Sequence, residues 1–313
     1  MSAEPNLIIP AASLAVAPSA RRQQSGLARA FRNPSVIVGG LVILIMIALG
    51  ATAPWLGTIN PTEPHTSGRN KLPGAETTMR DDDGKPIKVI YRLGSDNLGR
   101  DVYSRVLYGA RISIFVGITV AITSVFAGLV IGLFSGYIRW LDPIVMRLMD
   151  GLMAIPAILL AIALVSLFRA GIGAVILAIT IPEIPRVVRL VRSVVLSVRE
   201  EPYVEAAITT GTPMLKLLWR HILPNTIAPM IVQGTFICAS AILVEAILSF
   251  LGIGIPPETP TWGNVMAAGK DVFYLFPHNI FYPGIMLALT VLAVNMLGDG
   301  LRDTLDPKLA KRV

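Results

Sequence analysis

The residues able to do chemistry are few, and their surroundings limit what that chemistry can be. Glu245 is a carboxylate well inside a long apolar stretch, and Glu183 stands between Pro182 and Pro185 with Arg186 three residues further on. A charge inside a bilayer costs ~2.5 to 3.5 kcal/mol on insertion scales, so Glu245 must face a partner group or a watery cavity. Two readings stay open for it: a pathway or gate residue, or a carboxylate hydrogen-bonded between helices. Glu183 and Arg186 share a helix face and lie close enough to pair, which is a structural role. Asn295 could hydrogen-bond across a bundle from the last apolar run. The other chemistries fail on spacing. Cys238 is the single cysteine and has no partner for an internal disulfide. His65, His221 and His278 join no cluster with metal-ligand spacing, and no Ser/His/Asp set or His-Glu-x-x-His motif lies at a common depth. The phosphate loop Gly-x-x-x-x-Gly-Lys-Ser/Thr is also missing, so this chain does not supply ATP hydrolysis by that mechanism.

The elements that would position these residues are apolar and long. Of 313 residues, 53% are hydrophobic and 15% charged, with a mean hydropathy of +0.66; soluble domains carry roughly 25% charge. The charges cluster, leaving charge-free runs at 33–62, 112–138, 151–168, 170–182, 221–244 and 272–298. About 20 apolar residues cross a bilayer, which predicts an all-α polytopic membrane protein. Six transmembrane helices are expected at about 35–53, 112–137, 150–168, 171–190, 227–250 and 280–299, with Pro156 and Pro182 as kinks. The weak apolar patch at 7–16 is interrupted by Pro10, so the first long run reads as a retained signal anchor and not a cleaved peptide.

Orientation follows from the basic residues beside the spans. With both termini inside, 16 of the 27 Lys and Arg residues are cytoplasmic and 11 are outside, nine of these in the loop at 54–111. Removing the fourth span would turn the six basic residues at 186–220 outward, against that rule. The resulting organisation is a cytoplasmic segment at 1–34, a first helix at 35–53, an extracytoplasmic loop at 54–111, a five-helix domain at 112–300 and a cytoplasmic tail at 301–313. Within the loop, 62–91 reads as a solvated hairpin or irregular stretch with a turn at 81–86, and Asp96, Arg100 and Asp101 read as capping and pairing groups. Gly128, Gly132 and Gly136 strip one face of the second span of side chains, so that a neighbouring backbone can approach closely.

The segment at about 200–224 is the most informative. Pro202 suits a first helical turn, Gly211 suits a left-handed position after a helix, and Thr212 followed by Pro213 reads as the cap and first residue of a second helix that Pro224 ends. That second helix sets Met214, Leu217 and Leu218 on one face and Lys216 with Arg220 on another, so it is amphipathic and too short to span. The spacing leaves two readings open, an interfacial structural hairpin and a partner-docking element.

Glu205-Ala206-Ala207, Gly211 and Leu223-Pro224 resemble the EAA loop of ABC importer permeases, with His221 where the common pattern has Ile and 221–225 similar to the peptide-transporter version. Three further stretches resemble the C-type permease of dipeptide and oligopeptide importers: 93–111, Leu248-Ser249-Phe250-Leu251-Gly252 with Trp262-Gly263, and Pro283-Gly284 followed by 297–307. The resemblance implies a type I ABC importer permease fold in a bacterial inner membrane and a heterodimer with a homologous B-type permease. It further implies two cytoplasmic ATPase subunits that hold ATP and magnesium, with no cofactor in this chain, and an extracytoplasmic binding protein that delivers peptide. Dipeptides, longer peptides, nickel chelates and glutathione all fit such a permease. Glu205, Ala206, Ala207, Gly211, Leu223 and Pro224 would then couple the permease to its ATPase. A rival reading is an ion-coupled secondary transporter that uses Glu245.

Overall fold

The computed structural model describes residues 31–80, 86–168 and 171–305. The readings made for 7–16, for the basic residues before 31, for the turn at 81–85 and for the tail at 306–313 lie outside the described residues. Helix α1 spans Pro34–Thr52, with Pro34 at its first position and Asn33 as N-cap, its side chain accepting from the Ser35 N–H at 2.9 Å. Strands β1 (Ala75–Arg80) and β2 (Pro86–Tyr91) form an antiparallel hairpin running from Ala75↔Tyr91 to Arg80↔Pro86. Helix α2 covers Val102–Tyr137, α3 Asp142–Ala154, α4 Ala157–Leu167 and α5 Ile172–Arg199. The short α6 (Pro202–Thr209) and α7 (Met214–Leu217) lead into α8 (Leu223–Phe250), and α9 (Trp262–Gly269) and α10 (His278–Leu305) complete the bundle.

The seam between α2 and α5 is the core of this bundle. Gly128, Gly132 and Gly136 lie against Val187, Val191 and Val195 in turn; a Cβ added at Gly132 would stand 2.7 Å from the Val191 Cβ, and one at Gly136 2.9 Å from that of Val195. Lipid tails are as apolar as leucine, so helices associate in a bilayer through close packing of this kind more than through hydrophobic exclusion. Thr123 and Thr180 add a hydroxyl pair at 3.0 Å across the same seam.

Two of the expected spans take a different form. The third is broken into α3 and α4, which meet at 91°. Pro156 has no N–H to give and forces the residue before it out of the helical region, where Ile155 sits at φ −92°, ψ 129°. Pro156 is therefore a break and not a kink. The charges of α3 turn toward α5, Asp142 meeting Arg192 at 2.7 Å and Asp150 meeting Arg189 at 2.5 Å. The fourth runs unbroken through Pro182 and Pro185. Among the described residues four helices are long and apolar enough to cross a membrane, or five if the bent pair counts as one crossing. The charged half of α5 keeps it off that count, so six crossings are reached only by including α5. The structure also holds α9, a short helix that the hydropathy pattern did not mark.

At the end carrying the hairpin, buried polar groups knit the chain together. Asp101 caps α2, accepting from the Ser104 N–H at 2.8 Å, and Asp96 pairs with Arg100 at 2.7 Å, as their types suggested. Arg100 and Arg105 also donate to the Pro257 carbonyl at 3.1 and 3.0 Å, tying this loop to the α8–α9 connection. Tyr91 donates to the Gly99 carbonyl at 2.8 Å, and burial, with Asp101 and Asp96 nearby, pushes its hydroxyl up to about 12. Burial likewise raises Asp101 above the ordinary carboxylate range against the opposing bonds from Ser104.

The seam makes a direct demand. Gly132→Val should overpack α2 against Val191 and lower the stability of the purified protein by ~1 to 3 kcal/mol. Thermal unfolding in detergent measures this as a lower midpoint; an unchanged midpoint would show that the two helices do not need their close approach.

Candidate functional site

The segment at 202–224 is built as the sequence suggests at its start and differs at its end. Pro202 opens α6, and its last turn closes with the Gly211 N–H donating to the Ile208 carbonyl at 2.9 Å and the Thr212 N–H to the Ala207 carbonyl at 3.1 Å. That pair of bonds is a Schellman motif, and Gly211 occupies its left-handed position at φ +77°. A Cβ at Gly211 would meet nothing within 4 Å, so the glycine is there for its backbone alone. The cap of α7 is Pro213, with no side-chain hydrogen bond, and not Thr212.

Pro224 does not end the second helix. Met214–Leu217 passes through a π-helical turn, Leu218–Ile222, straight into α8. Pro224 follows directly on the π-helical turn, whose wider ring accommodates a residue that has no N–H to donate. Proline reads as a stop in sequence, but here the turn before it is wide enough to carry the chain past. The amphipathic helix and the fifth apolar span are therefore one continuous rod, Met214–Phe250.

One face of this segment is buried and the other is bare. Val204, Ala207, Leu217, Leu218 and Ile222 enter the same core cluster as Val187, Val191 and Val195. Glu205, Ala206 and Gly211 are exposed on the outer side. Leu223 and Pro224 lie instead at the root of α8, where Leu223 lines an apolar groove with Ile118 and Ile122, and Pro224 a second cleft with Gln233 and Arg302. Glu205 stands on a cavity of about 620 Å³ lined also by Arg139, Arg199 and Thr209.

Sequence reasoning missed the apolar part of the bare face. Leu215 of α7 is 69% and Trp219 of the π-helical turn 75% exposed, four residues apart, while Leu217 and Leu218 between them are buried. The i, i+4 spacing of the exposed pair was legible, and it marks an apolar contact surface on the same exposed segment that carries Glu205. A brace was missed as well. The Asn225 amide donates to the Tyr203 hydroxyl at 3.1 Å and to the His221 carbonyl at 2.7 Å, with the Tyr203 and His221 rings 6.2 Å apart. It fixes α6 to the π-helical turn.

Glu245 lies apart from this segment, toward the hairpin end of α8. It is wholly buried, accepting from the Ser113 hydroxyl at 3.0 Å and the Ser249 hydroxyl at 2.8 Å, and no cation pairs with it among the described residues. Ser113 belongs to α2 and also receives the Trp262 N–H of α9 at 3.4 Å, so the carboxylate joins three helices. This is the geometry of a hydrogen-bonded carboxylate between helices. Glu183 pairs with Arg186 at 3.2 Å and takes a further bond from Ser240 of α8 at 3.4 Å. Cys238 is unpaired and half-buried, and no three His, Cys, Asp or Glu residues converge as metal ligands among the described residues.

The family described as "Binding-protein-dependent transport system inner membrane component" matches residues 112–311. The chain is similar to the probable peptide ABC transporter permease protein y4tQ of Sinorhizobium fredii, 50% identical over 281 residues, 90% of this chain and 91% of that protein. It is 37% identical over 283 residues to the di/tripeptide transport system permease protein DppC of Pseudomonas aeruginosa, covering 90% of this chain and 91% of the relative. It is likewise 37% identical over 283 residues to the glutathione transport system permease protein GsiD of Pectobacterium atrosepticum, covering 90% and 89%.

The buried carboxylate sets a test of its own. Glu245→Gln keeps an acceptor and should leave stability and transport near the wild type, whereas Glu245→Ala strands two buried hydroxyls and should cost ~1 to 3 kcal/mol. Denaturation midpoints of the two purified variants measure the difference. Indistinguishable midpoints would remove the hydrogen bonds from the account of this site.

Proposed function

The chain belongs to the binding-protein-dependent transport system inner membrane components, and from that membership we propose how it works as the permease subunit of a peptide-importing ABC transporter. It is a multi-pass membrane protein, and its part in the transporter is the pathway and not catalysis. In this reading a homologous B-type permease completes the pathway, two cytoplasmic ATPases hold ATP and magnesium, and an extracytoplasmic binding protein delivers the solute. Relatives named for di/tripeptides and for glutathione align with 90% of this chain, which fits peptides and peptide-like carboxylates as the solute class.

The observation that carries the coupling is the continuity of Met214–Phe250. An ATPase seated on Glu205, Leu215 and Trp219 pushes on a face that is rigid at both of its ends, through the Schellman turn at Gly211 and the brace at Asn225. Any tilt it imposes passes through the π-helical turn into a helix that crosses the membrane. The ATPase need only bind one permease state better than the other for this to shift the bundle between outward and inward access. The rival reading, proton coupling through Glu245, finds no support in a carboxylate that is wholly buried and has both oxygens engaged.

The orientation proposed places 202–224 and both termini in the cytoplasm of a bacterial cell and the hairpin Ala75–Tyr91 outside the inner membrane. In a Cys238→Ala background, single cysteines at Ser67 and Thr259 should label from outside and one at Thr212 only from inside. Labelling of the last by an impermeant reagent applied outside would refute the arrangement.

Gly211→Val tests the coupling. A β-branched residue in a left-handed turn costs more than the ~1 kcal/mol of an ordinary side chain there, and relieving that strain tilts α6 against α7. The variant should reach the membrane at normal levels and assemble with its permease partner, yet bind ATPase weakly and import little. Glu205→Lys should do the same by reversing the charge on the docking face. ATPase copurification and ATP-dependent uptake in reconstituted vesicles are the measurements, and full coupling by both variants at wild-type protein levels would reduce the segment to an interfacial element.

A further inference from the structure

One flank of α5 presents groups that hydrocarbon does not accept. Arg186 pairs with Glu183, but half of its side chain (50%) remains exposed while Glu183 is enclosed at 4%. Its depth follows from the seam. Val187, the next residue, packs on Gly128 near the middle of the charge-free run 112–138, and Ser240, the other partner of Glu183, lies near the middle of α8. A guanidinium tied down at that depth faces either protein or water, because intramembrane charges avoid the lipid face.

The break between α3 and α4 makes the same demand independently. Asp150, on α3 one turn before the break, holds Arg189 one turn beyond Arg186. Met153 and Ile155 beside the break are exposed, at 40% and 46%. The last carbonyls of α3 and the first N–H groups of α4 have no partners within their helices. Backbone in that condition is tolerated in a membrane only where protein covers it or water reaches it. On α2 the surface is of the other kind, with Phe126 exposed among apolar neighbours.

We propose, resting on the peptide-import reading, that the flank carrying Arg186 and the α3–α4 break lines the water-filled path, and that Arg186 is a specificity-determining residue that meets the carboxylate of a peptide in transit. Glu183 occupies only Nη1 of the guanidinium, with both oxygens, at 3.2 and 3.3 Å. Among the described residues nothing bonds to the Nε–Nη2 edge, and such an edge can grip a carboxylate with two parallel bonds. Arg189 offers no such edge because Asp150 has taken its Nη2. Glu183 and Ser240 thus act as positioning residues, holding one guanidinium at mid-depth with its free edge toward the path.

The experiment uses the complete transporter, with both permeases and both ATPases, in inside-out vesicles and in a Cys238→Ala background. Met153→Cys is the reporter and Phe126→Cys the lipid-facing control, probed with an anionic and a cationic water-soluble thiosulfonate. The reporter should react and the control should not, and Arg186→Gln should slow the anionic reagent at the reporter by about tenfold while leaving the cationic one no slower. An unreactive Met153→Cys in complexes with normal ATPase activity means that lipid or the partner permease covers this flank, and overturns the proposal; so do equal anionic rates with and without Arg186. In right-side-out vesicles loaded with ATP and supplied with the binding protein, uptake of labelled L-alanyl-L-alanine and of its C-terminal amide adds the solute. Arg186→Gln should depress dipeptide uptake and Arg186→Lys restore most of it, with the amide indifferent to either. Dipeptide uptake unaffected by Arg186→Gln removes the carboxylate contact. Should the wild type carry neither compound while the reporter behaves as expected, the peptide reading fails and the anion-selecting path stands.

Discussion

Everything in this bundle hangs on the contact of a bare strip of α2 with three valines of α5. In water such a seam would be one packing interface among several, but in a bilayer no expulsion of solvent pulls helices together and contact distance decides which pairs form. Because α5 is held this closely, the hydroxyl pair of Thr123 and Thr180 closes, and Glu183 comes within reach of Ser240 on α8. The ion pairs to Asp142 and Asp150 then position α3, whose own contacts with the body are slight. The order of dependence runs from glycine to hydroxyl to charge.

The two ends of the molecule are stiffened by different means. At the hairpin end, buried arginines spend their donors on backbone carbonyls of distant loops, Arg105 alone reaching Pro61 and Pro257. Removing any one of these groups would leave the others buried without partners, so the end behaves as a unit. At the opposite end stiffness comes from local geometry: a Schellman turn, an aromatic pair and an asparagine that bonds to both sides of a joint. One end is a lock of charges and carbonyls, and the other a lever. A device that receives force from a partner benefits from the second arrangement, because an exposed contact face can remain bare while its inner face is packed.

Much of this was legible in the sequence, and what was not has identifiable causes. The apolar runs, the glycine strip, the Asp96–Arg100 pair, the cap at Asp101 and the left-handed turn at Gly211 were all read from residue type and spacing alone, since each depends on near neighbours. Proline misled twice, in opposite directions. Pro156 was expected to bend a helix and instead breaks it, because α4 has packing on one side only and nothing holds α3 in line with it. Pro224 was expected to end a helix and instead lies within one, just after a turn whose i→i+5 spacing no apolar periodicity announces. The exposed pair Leu215 and Trp219 shows a third kind of failure. Their spacing was plain, but whether an apolar stripe is covered depends on the rest of the fold.

The brevity of α4 has a consequence for how the chain is made. Eleven residues rise ~17 Å, about half the thickness of a bilayer's hydrocarbon core, so this segment is too short to partition into the membrane unaided as it leaves the insertion machinery. Its neighbour α5 is long enough but arrives with Glu183, Arg186 and Arg189 aboard. Neither is competent by itself, yet together with α3 they cancel most of their charges in pairs. The stretch from Asp142 to Arg192 therefore meets the cost of burial in a membrane as a unit, once its three paired arginines have found their carboxylates.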